Sequence, residues 1–460
     1  MFSTTIEKIA KICSGTIIQS TIPDQSPLLL HLAIDSRKIH PGDVFVCLKG
    51  QRVDGHEYIH QAIEKGVKGL ICQESIHLNS VPSDVFVILV KNTSQALLDL
   101  ASEITKLYHS ILVTGSAGKT TTKQILGALM PFSHTTFGNY NTPIGLPVAL
   151  TDVPPDIEWL VCELSASYPG EIETLLPLFD SAQGAILTGI GNSHTEFFSS
   201  KQQILVAKAL IFNKVSNQEA CFANGHMEGL ETILKKHYPF VSLYGFHPSM
   251  DIPITISEIK GTETIFHFTM QSKEYSFSIP CFGKHYVLNA VASIAMVLTL
   301  FPSTSLKDIQ DRLNQFEPGK GRGKVFSLNN SCLCIDESYN ANPLSMKASL
   351  EAFASLSVSS KILILGDMLE LGHIAEQEHI ELGKIAKNCN PKKIFYVGQY
   401  GNSFVTGFSD AQKVTICTTI NEAYDQLRSW IQKDTAILVK ASNGIGLHTL
   451  VDRLITDTES

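Results

Sequence analysis

The chain has 460 residues, of which 44% are hydrophobic and 17% charged, with a formal net charge of −8. This length and apolar content predict two or three domains with their own cores, and the acidic balance argues against a general nucleic-acid binder. No stretch approaches the roughly 18 apolar residues of a membrane helix, MFSTTIEKIAKICSG at the start has no signal-peptide core, and the ten cysteines are scattered without a C-x-x-C pair, a pattern that predicts a cytoplasmic protein with buried, reduced thiols.

In residues 1–93, apolar runs at 44–48 (VFVCL), 69–72 (GLIC) and 85–90 (VFVILV) predict short strands. Two polar stretches flank the first run, Asp35-Ser36-Arg37-Lys38 before it and Lys49-Gly50-Gln51-Arg52-Val53-Asp54-Gly55-His56 after it. A basic and hydroxyl pair with a glycine-bearing loop suits a phosphorylated or sugar ligand. Pro41-Gly42-Asp43 and Asp54-Gly55 form turns whatever the function, however, and spacing alone favours plain turn chemistry.

Asn92 to Lys106, with Leu97, Leu98, Leu100 and Ile104, predicts a helix leading into the stretch that organises the chain, Ser110 to Met130. There Ile111-Leu112-Val113 predict a buried parallel strand, and Ile125, Leu126 and Leu129 fall at helical spacing. Between them lies Thr114-Gly115-Ser116-Ala117-Gly118-Lys119-Thr120-Thr121. Strand, glycine loop, Lys-Thr and helix are the context of a phosphate loop. Gly115 and Gly118 let backbone N–H groups curl round an anion, and the helix start adds partial positive charge. Lys119 then reaches the β- and γ-phosphates while the Thr120 hydroxyl holds Mg²⁺. The loop is the short form, with Val113 where the longer G-x-x-x-x-G-K-[ST] pattern has its first glycine.

From about 94 to 316 strands and helices alternate, which predicts an α/β unit with a mostly parallel sheet. Runs at 159–162 (WLVC) and 185–188 (AILT) predict strands that lead to Glu163 and to His194. Ligands of open α/β sheets sit beyond the carboxyl ends of strands. The phosphate loop, Glu163 and His194 therefore point to one site, where a carboxylate and an imidazole bind Mg²⁺ or orient its waters. A further helix is predicted over 199–213, and on these residues alone its Lys208 reads as a solvated lysine. Another opens at 282–290 (FGKHYVLNA), and its Asn289 faces either a nucleotide base or the outer surface.

Residues 317–324 (EPGKGRGK) are a break rich in glycine and base, read as a hinge or an anion-touching linker. Beyond it the runs at 332–335, 361–365, 393–397 and 436–439 predict a second doubly wound unit. Its strand ends carry DESYNANP (336–343), GDMLELG (366–372) and Lys440-Ala441-Ser442. Gly444-Ile445-Gly446 lacks the third glycine of a dinucleotide fingerprint, which argues against NAD.

The phosphate loop, Glu163, His194, Arg322, DESYNANP and GDMLELG, in this order, resemble the ATP-dependent muramyl (Mur) ligases from Asp35 to about Lys440. The resemblance implies an α/β chain of three domains: a small N-terminal UDP-binding domain (1–93), a central P-loop ATPase-like parallel sheet (94–316) and a C-terminal Rossmann-like ligase domain (317–460). DSRKIHPGDVFVCLKG, GNYNTPIGLP, DESYNANPLSM and GDMLELG with His379 downstream are similar to the branch that joins D-alanyl-D-alanine to UDP-N-acetylmuramoyl-tripeptide, a step of peptidoglycan synthesis. The Asp-Asn-Pro-Arg motif of the diaminopimelate-adding branch is absent.

The resemblance also implies roles. ATP phosphorylates the terminal carboxylate of the UDP-sugar tripeptide, the dipeptide amine attacks, and phosphate leaves. Gly115, Ser116, Ala117, Gly118, Lys119, Thr120 and Thr121 hold the ATP phosphates, and Thr120 and Glu163 hold one of two Mg²⁺ ions. His194 and Lys208 serve the second, Lys208 as a carbamylated, carboxylate-like ligand, which reverses the reading of that lysine above. Asn289 faces adenine, Arg322 the γ-phosphate, and Asp336 or Glu337 the ribose. Ser36, Arg37, Lys49 and Gly50 border uridine, while Asn139, Ser165, Asn340 and Asn342 meet the peptide and dipeptide. Lys119, Glu163, His194, Lys208 and Arg322 form the catalytic set of a monomer. Tyr286, Thr142, Gly189 and Asn443 depart from the family pattern, and at Glu337 an Asp is commoner. Two other readings are a sister ligase such as a folylpolyglutamate synthase, disfavoured by the DSRK and KGQRVDGH loops, and a P-loop protein that hydrolyses ATP without joining anything.

Overall fold

A computed structural model describes residues 2–23, 25–50, 53–73, 81–138, 140–191, 196–227, 229–260, 263–328 and 332–459. Asn139 and His194 of the expected site lie outside the described residues, as do Gln51 and Arg52.

The first sheet has five strands in the order Thr16–Gln19, Phe86–Leu89, Gly69–Cys72, Val44–Val46 and Leu32–Ala33. Only the Thr16–Gln19 pairing is antiparallel. Gly69–Cys72 and Val44–Val46 are buried along their whole length, as continuous apolar runs in a parallel sheet must be. The helix Thr93–Thr105 follows, capped by the Asn92 side chain on the Gln95 N–H. Its stripe of Ala96, Leu97, Leu100, Ala101 and Ile104 is buried, and it shares a core with Leu32, Leu112 and Leu146. That shared core joins the first unit to the next one. His31 adds polar contacts across this junction, Nδ1 to Asp43 Oδ1 and Nε2 to Asp152 Oδ1, both at 2.7 Å.

The central sheet has nine strands. His109–Thr114 lies between Gly184–Leu187 and Trp159–Glu163, parallel to both. Successive connections leave it toward opposite sides, which opens a crevice at its carboxyl end. The helix Lys119–Leu129 that follows packs against Lys284–Leu300. On the far side the sheet continues into Ile252–Lys260, Glu263–Met270 and Lys273–Ile279, whose mutual pairings are antiparallel. This meander is an addition to the alternating pattern expected from sequence. Its signal is local: along Glu263–Met270 every second side chain is buried, the period of a half-covered strand.

The last sheet has six strands, ordered Lys324–Leu328, Cys332–Asp336, Thr435–Lys440, Ser360–Gly366, Lys393–Val397 and Val414–Cys417. The first pairs antiparallel to Cys332–Asp336 and the rest run parallel. Lys324 thus begins an edge strand, so the glycine-rich linker is shorter than its composition suggested. All ten cysteines are free and buried. No helix among the described residues is long and apolar enough to cross a membrane.

Candidate active site

The loop after His109–Thr114 is shaped by two glycines. Gly115 has φ +153° and Gly118 φ +88°, and a Cβ at these positions would lie 1.9 Å from Thr188 Oγ1 and 2.6 Å from Asn289 Oδ1. Only glycine fits both the conformation and the close approach. The Ser116 and Ala117 N–H groups donate to the Gly189 carbonyl at 2.7 and 3.3 Å. These two bonds close the loop on the Gly189 strand end. The helix beginning at Lys119 leaves its first-turn N–H groups without intrahelical partners, an arrangement suited to an anion. Lys119 Nζ folds back onto the Gly115 carbonyl at 2.9 Å. Burial, reinforced by nearby Arg322, holds the Lys119 ammonium below its ordinary range although Glu163 opposes the shift.

Glu163 ends the neighbouring strand and is 2% exposed. Its Oε2 accepts from the Thr120 hydroxyl at 2.7 Å and its Oε1 from Asn141 Nδ2 at 2.7 Å. Burial raises this carboxyl, but Lys119, Lys123 and the two hydrogen bonds outweigh burial and bring it below its ordinary value. Lys123 is the partner that sequence reading missed. It lies one helical turn after Lys119, is buried, stands 3.6 Å from Glu163 Oε2, and donates to the Thr136 and Gly138 carbonyls at 2.5 and 2.9 Å.

Beyond Glu163 the chain turns through Ser165 and Ser167, both held by buried Glu171: Ser165 Oγ donates to Oε1 at 2.6 Å and the Ser167 N–H to Oε2 at 2.5 Å. Lys208 is 1% exposed and donates to the Ala166 carbonyl at 3.3 Å. This corrects the reading of Lys208 as solvated. The helix Lys201–Ala209 turns that face inward under the loop, and burial, then Lys119, pushes the ammonium well below its ordinary range.

The C-terminal unit closes the opposite wall. The Arg322 guanidinium stacks on Tyr339, 3.8 Å from the ring centroid, and the Tyr286 hydroxyl donates to the Arg322 carbonyl. Asp336 is spent on the linker, accepting from the Gly321 N–H at 2.9 Å and from the Ser338 N–H and hydroxyl at 3.1 and 2.5 Å. Glu337 pairs with Lys440 at 3.0 Å and with His285 of the central unit at 3.3 Å. Burial raises its carboxyl, but Lys440 and His285 hold it well below the ordinary carboxylate range. Asn342 caps the helix Pro343–Ala354, and its Nδ2 donates to the Ser116 carbonyl of the phosphate loop at 3.1 Å. Lys440 also donates to the Asn340 carbonyl at 3.1 Å.

Between these walls lies a cavity of about 380 Å³. Of the expected residues, Ser116 to Thr121, Glu163, Ser165 and Asn289 line it from the central unit. Arg322, Glu337, Asn340 and Asn342 line it from the C-terminal unit. Gly115, Lys208 and Asp336 stand behind the lining. Asn289, 6% exposed, faces this cavity and not the outer surface. The four uridine candidates sit apart, on loops of the first sheet. Ser36 donates to Gln61 Oε1 at 2.6 Å, exposed Arg37 pairs with Asp35 at 2.8 Å, Lys49 lies 3.7 Å from Asp54, and the Gly50 N–H bonds the Val53 carbonyl at 2.9 Å. Three departures from the family pattern have local uses. Tyr286 fastens the linker, the Thr142 hydroxyl accepts from the Gly145 N–H at 3.0 Å, and Gly189 supplies the carbonyl that closes the phosphate loop.

The residues fit a nucleotide triphosphate and a hard cation. A glycine-shaped loop opens a helix start, and a hydroxyl and a carboxylate sit side by side as oxygen donors for Mg²⁺. The Mur ligase middle domain matches residues 113–297, the Mur ligase catalytic domain 30–105, and the Mur ligase glutamate ligase domain 321–443. The UDP-N-acetylmuramoyl-tripeptide–D-alanyl-D-alanine ligase of Bacillus subtilis is 32% identical over 466 residues, covering 99% of each chain. A crystal structure of MurF from Acinetobacter baumannii superposes with a TM-score of 0.86 at 27% identity over 99% of each chain. MurF ligase from Thermotoga maritima, solved in complex with ADP, gives 0.80 at 25% identity over 94% of this chain and 98% of that one. With all three domain types matched in order and a relative of that identity along its whole length, the chain belongs to the Mur ligase family.

Proposed function

We infer that the chain is an ATP-dependent ligase that joins D-alanyl-D-alanine to UDP-N-acetylmuramoyl-tripeptide. The observation that carries this reading is the full-length similarity to ligases named for that reaction, on a chain whose phosphate loop and C-terminal unit share one cavity. When bound, ATP supplies the phosphoryl group that activates the tripeptide carboxylate. Lys119 and the helix start take up phosphate charge, and Arg322 stands across the cavity to meet it from the other side. Thr120 and Glu163 are the oxygen donors we assign to one Mg²⁺. The Asn342–Ser116 bond and the Glu337–His285 pair hold the walls together, which limits water at the reacting carboxylate.

Further assignments extend this reading. Burial lowers the proton affinity of Lys208, which suits an amine that adds CO₂ and loses a proton to become a carboxylate-like ligand, the role that the resemblance assigns to it together with His194 for a second Mg²⁺. The ranges 1–93, 94–316 and 317–460 are assigned to the UDP-sugar, ATP and dipeptide in turn, in a cytoplasmic monomer. The test is phosphate release from ATP with UDP-N-acetylmuramoyl-tripeptide, with and without D-alanyl-D-alanine. Release that needs both, with the pentapeptide found by mass, supports the ligase. Equal release with neither points to an ATP-hydrolysing binding protein, and use of another amine points to a sister ligase.

A further inference from the structure

The N-terminal unit holds a cluster that the ATP cavity does not use. Cys47 follows the strand Val44–Val46, and Cys72 ends the parallel neighbour Gly69–Cys72. Because Val46 pairs with Ile71, the two cysteines stand side by side, with their sulfurs 3.6 Å apart. His56 reaches them from the turn Gly55–Tyr58. Asp54 orients its ring: Oδ1 lies 2.6 Å from Nδ1 and also accepts the His56 N–H at 3.0 Å. Nε2 accepts the Gln73 N–H at 3.1 Å, so Nε2 carries no proton and the ring proton lies toward Asp54. The two sulfurs and a ring nitrogen all fall within 4.8 Å of one another. Among the described residues no other three His, Cys, Asp or Glu side chains converge in this way. Both cysteines are fully buried, while the His56 side chain is 9% exposed.

We propose that Cys47, Cys72 and His56 form a binding site for a thiophilic d¹⁰ cation, Zn²⁺ foremost, with solvent at the fourth position. In a tetrahedral centre with Zn–S of about 2.3 Å, two sulfurs lie about 3.8 Å apart. The two strands therefore present the thiols at nearly the spacing that the ion requires. A histidine held by a carboxylate through its other nitrogen is the usual support of such a ligand. Sulfur donors select Zn²⁺ over Mg²⁺, so the site does not compete with the oxygen donors of the ATP cavity. On binding, two S–H bonds are replaced by two S–Zn bonds and both protons pass to water. The His56 lone pair moves from the Gln73 amide to the ion. Two thiolates neutralise the dication, which suits a centre whose sulfurs are buried. The outcome is a clamp joining two strands to the loop that carries Lys49 and Gly50, and it stands whether or not the ligase assignment holds.

The test uses the full-length protein, reduced and freed of metal, titrated with Co²⁺ as an optical probe. A thiolate-to-cobalt charge-transfer band that saturates at one ion per chain is expected, with tetrahedral ligand-field bands and displacement by Zn²⁺. Co²⁺ in the ATP cavity meets oxygen and nitrogen donors and gives no such band. Cys47→Ser with Cys72→Ser is expected to abolish the band, and Asp54→Asn to weaken binding by about 10- to 100-fold. X-ray absorption of the Zn²⁺ form needs no variant and is expected to find two sulfur neighbours at about 2.3 Å. No charge-transfer band in the wild-type chain, a band that survives the double substitution, or a shell without sulfur each overturns the site.

Discussion

At the scale of the residue, the site turns on charges that packing has removed from water. Glu163 is buried between Thr120, Asn141, Lys119 and Lys123, and its low proton affinity reflects those neighbours and not its exposure. Glu163→Gln keeps the shape and removes the charge. It is expected to lower kcat about 100-fold and to raise the Mg²⁺ concentration needed for half-maximal rate, read in a coupled phosphate assay across a Mg²⁺ series. Lys123 has a different part. It pairs with Glu163 and ties down Thr136 and Gly138, so Lys123→Met leaves a buried carboxylate with one fewer partner and two carbonyls without a donor. A loss of about 3 kcal/mol in urea unfolding at neutral pH is expected, and an unchanged midpoint removes this role. Lys119 was legible because it stands in a contiguous pattern of glycines and threonines. Lys123 and Lys208 were not, because nothing beside them in the chain records that their ammonium groups are buried.

At the scale of the element, the strand, loop and helix from His109 to Leu129 form the unit on which the rest is arranged. The apolar run, the two glycines and the helical spacing are all local signals, and the observed strand and helix follow them. Gly118→Ala tests the loop directly. A side chain there must adopt φ +88° and displace Asn289, whose Oδ1 lies 2.6 Å from the new Cβ. ATP affinity is expected to fall at least about tenfold, equivalent to about 1.4 kcal/mol, in calorimetric titration, while the far-ultraviolet circular dichroism stays unchanged. The antiparallel meander after Ile252 departs from the strand–helix alternation around it, and alternating burial along Glu263–Met270 gives it a period of two.

At the scale of the whole molecule, the walls of the cavity come from segments far apart in the chain. Arg322 faces Lys119 across the cavity, and Asn342 bonds Ser116, 226 residues away in sequence. Arg322→Ala is expected to lower kcat about 1,000-fold with little change in the KM for the UDP-substrate. Unchanged turnover removes the third unit from the chemistry. Glu337 links the walls through His285 and Lys440, and its carboxyl titrates below the ordinary 4.5 in the folded chain. A depressed value means that its contribution to stability is complete above pH 4.5 and is lost as pH falls through the folded value. Between those limits Glu337→Gln is expected to reduce the slope of unfolding free energy against pH by up to about 1.4 kcal/mol per unit, measured by urea melts. An identical slope in both proteins rules the clamp out.

The family, the α/β class and the strand–loop–helix of the phosphate-loop type were legible along the chain. These depend on residue type and period along a contiguous run, which the chain carries wherever it is placed. Packing in three dimensions was needed to bring the Ser116 and Ala117 amides onto Gly189, and to set Asp336 on the linker while Glu337 faces the cavity. It also decided that Lys208 and Lys123 are buried and that Cys47 and Cys72 lie side by side. Each of these is a pairing between segments whose distance in space has no fixed relation to their distance in sequence. Desolvation, and with it the proton affinity of a buried amine or carboxylate, exists only once those segments have packed.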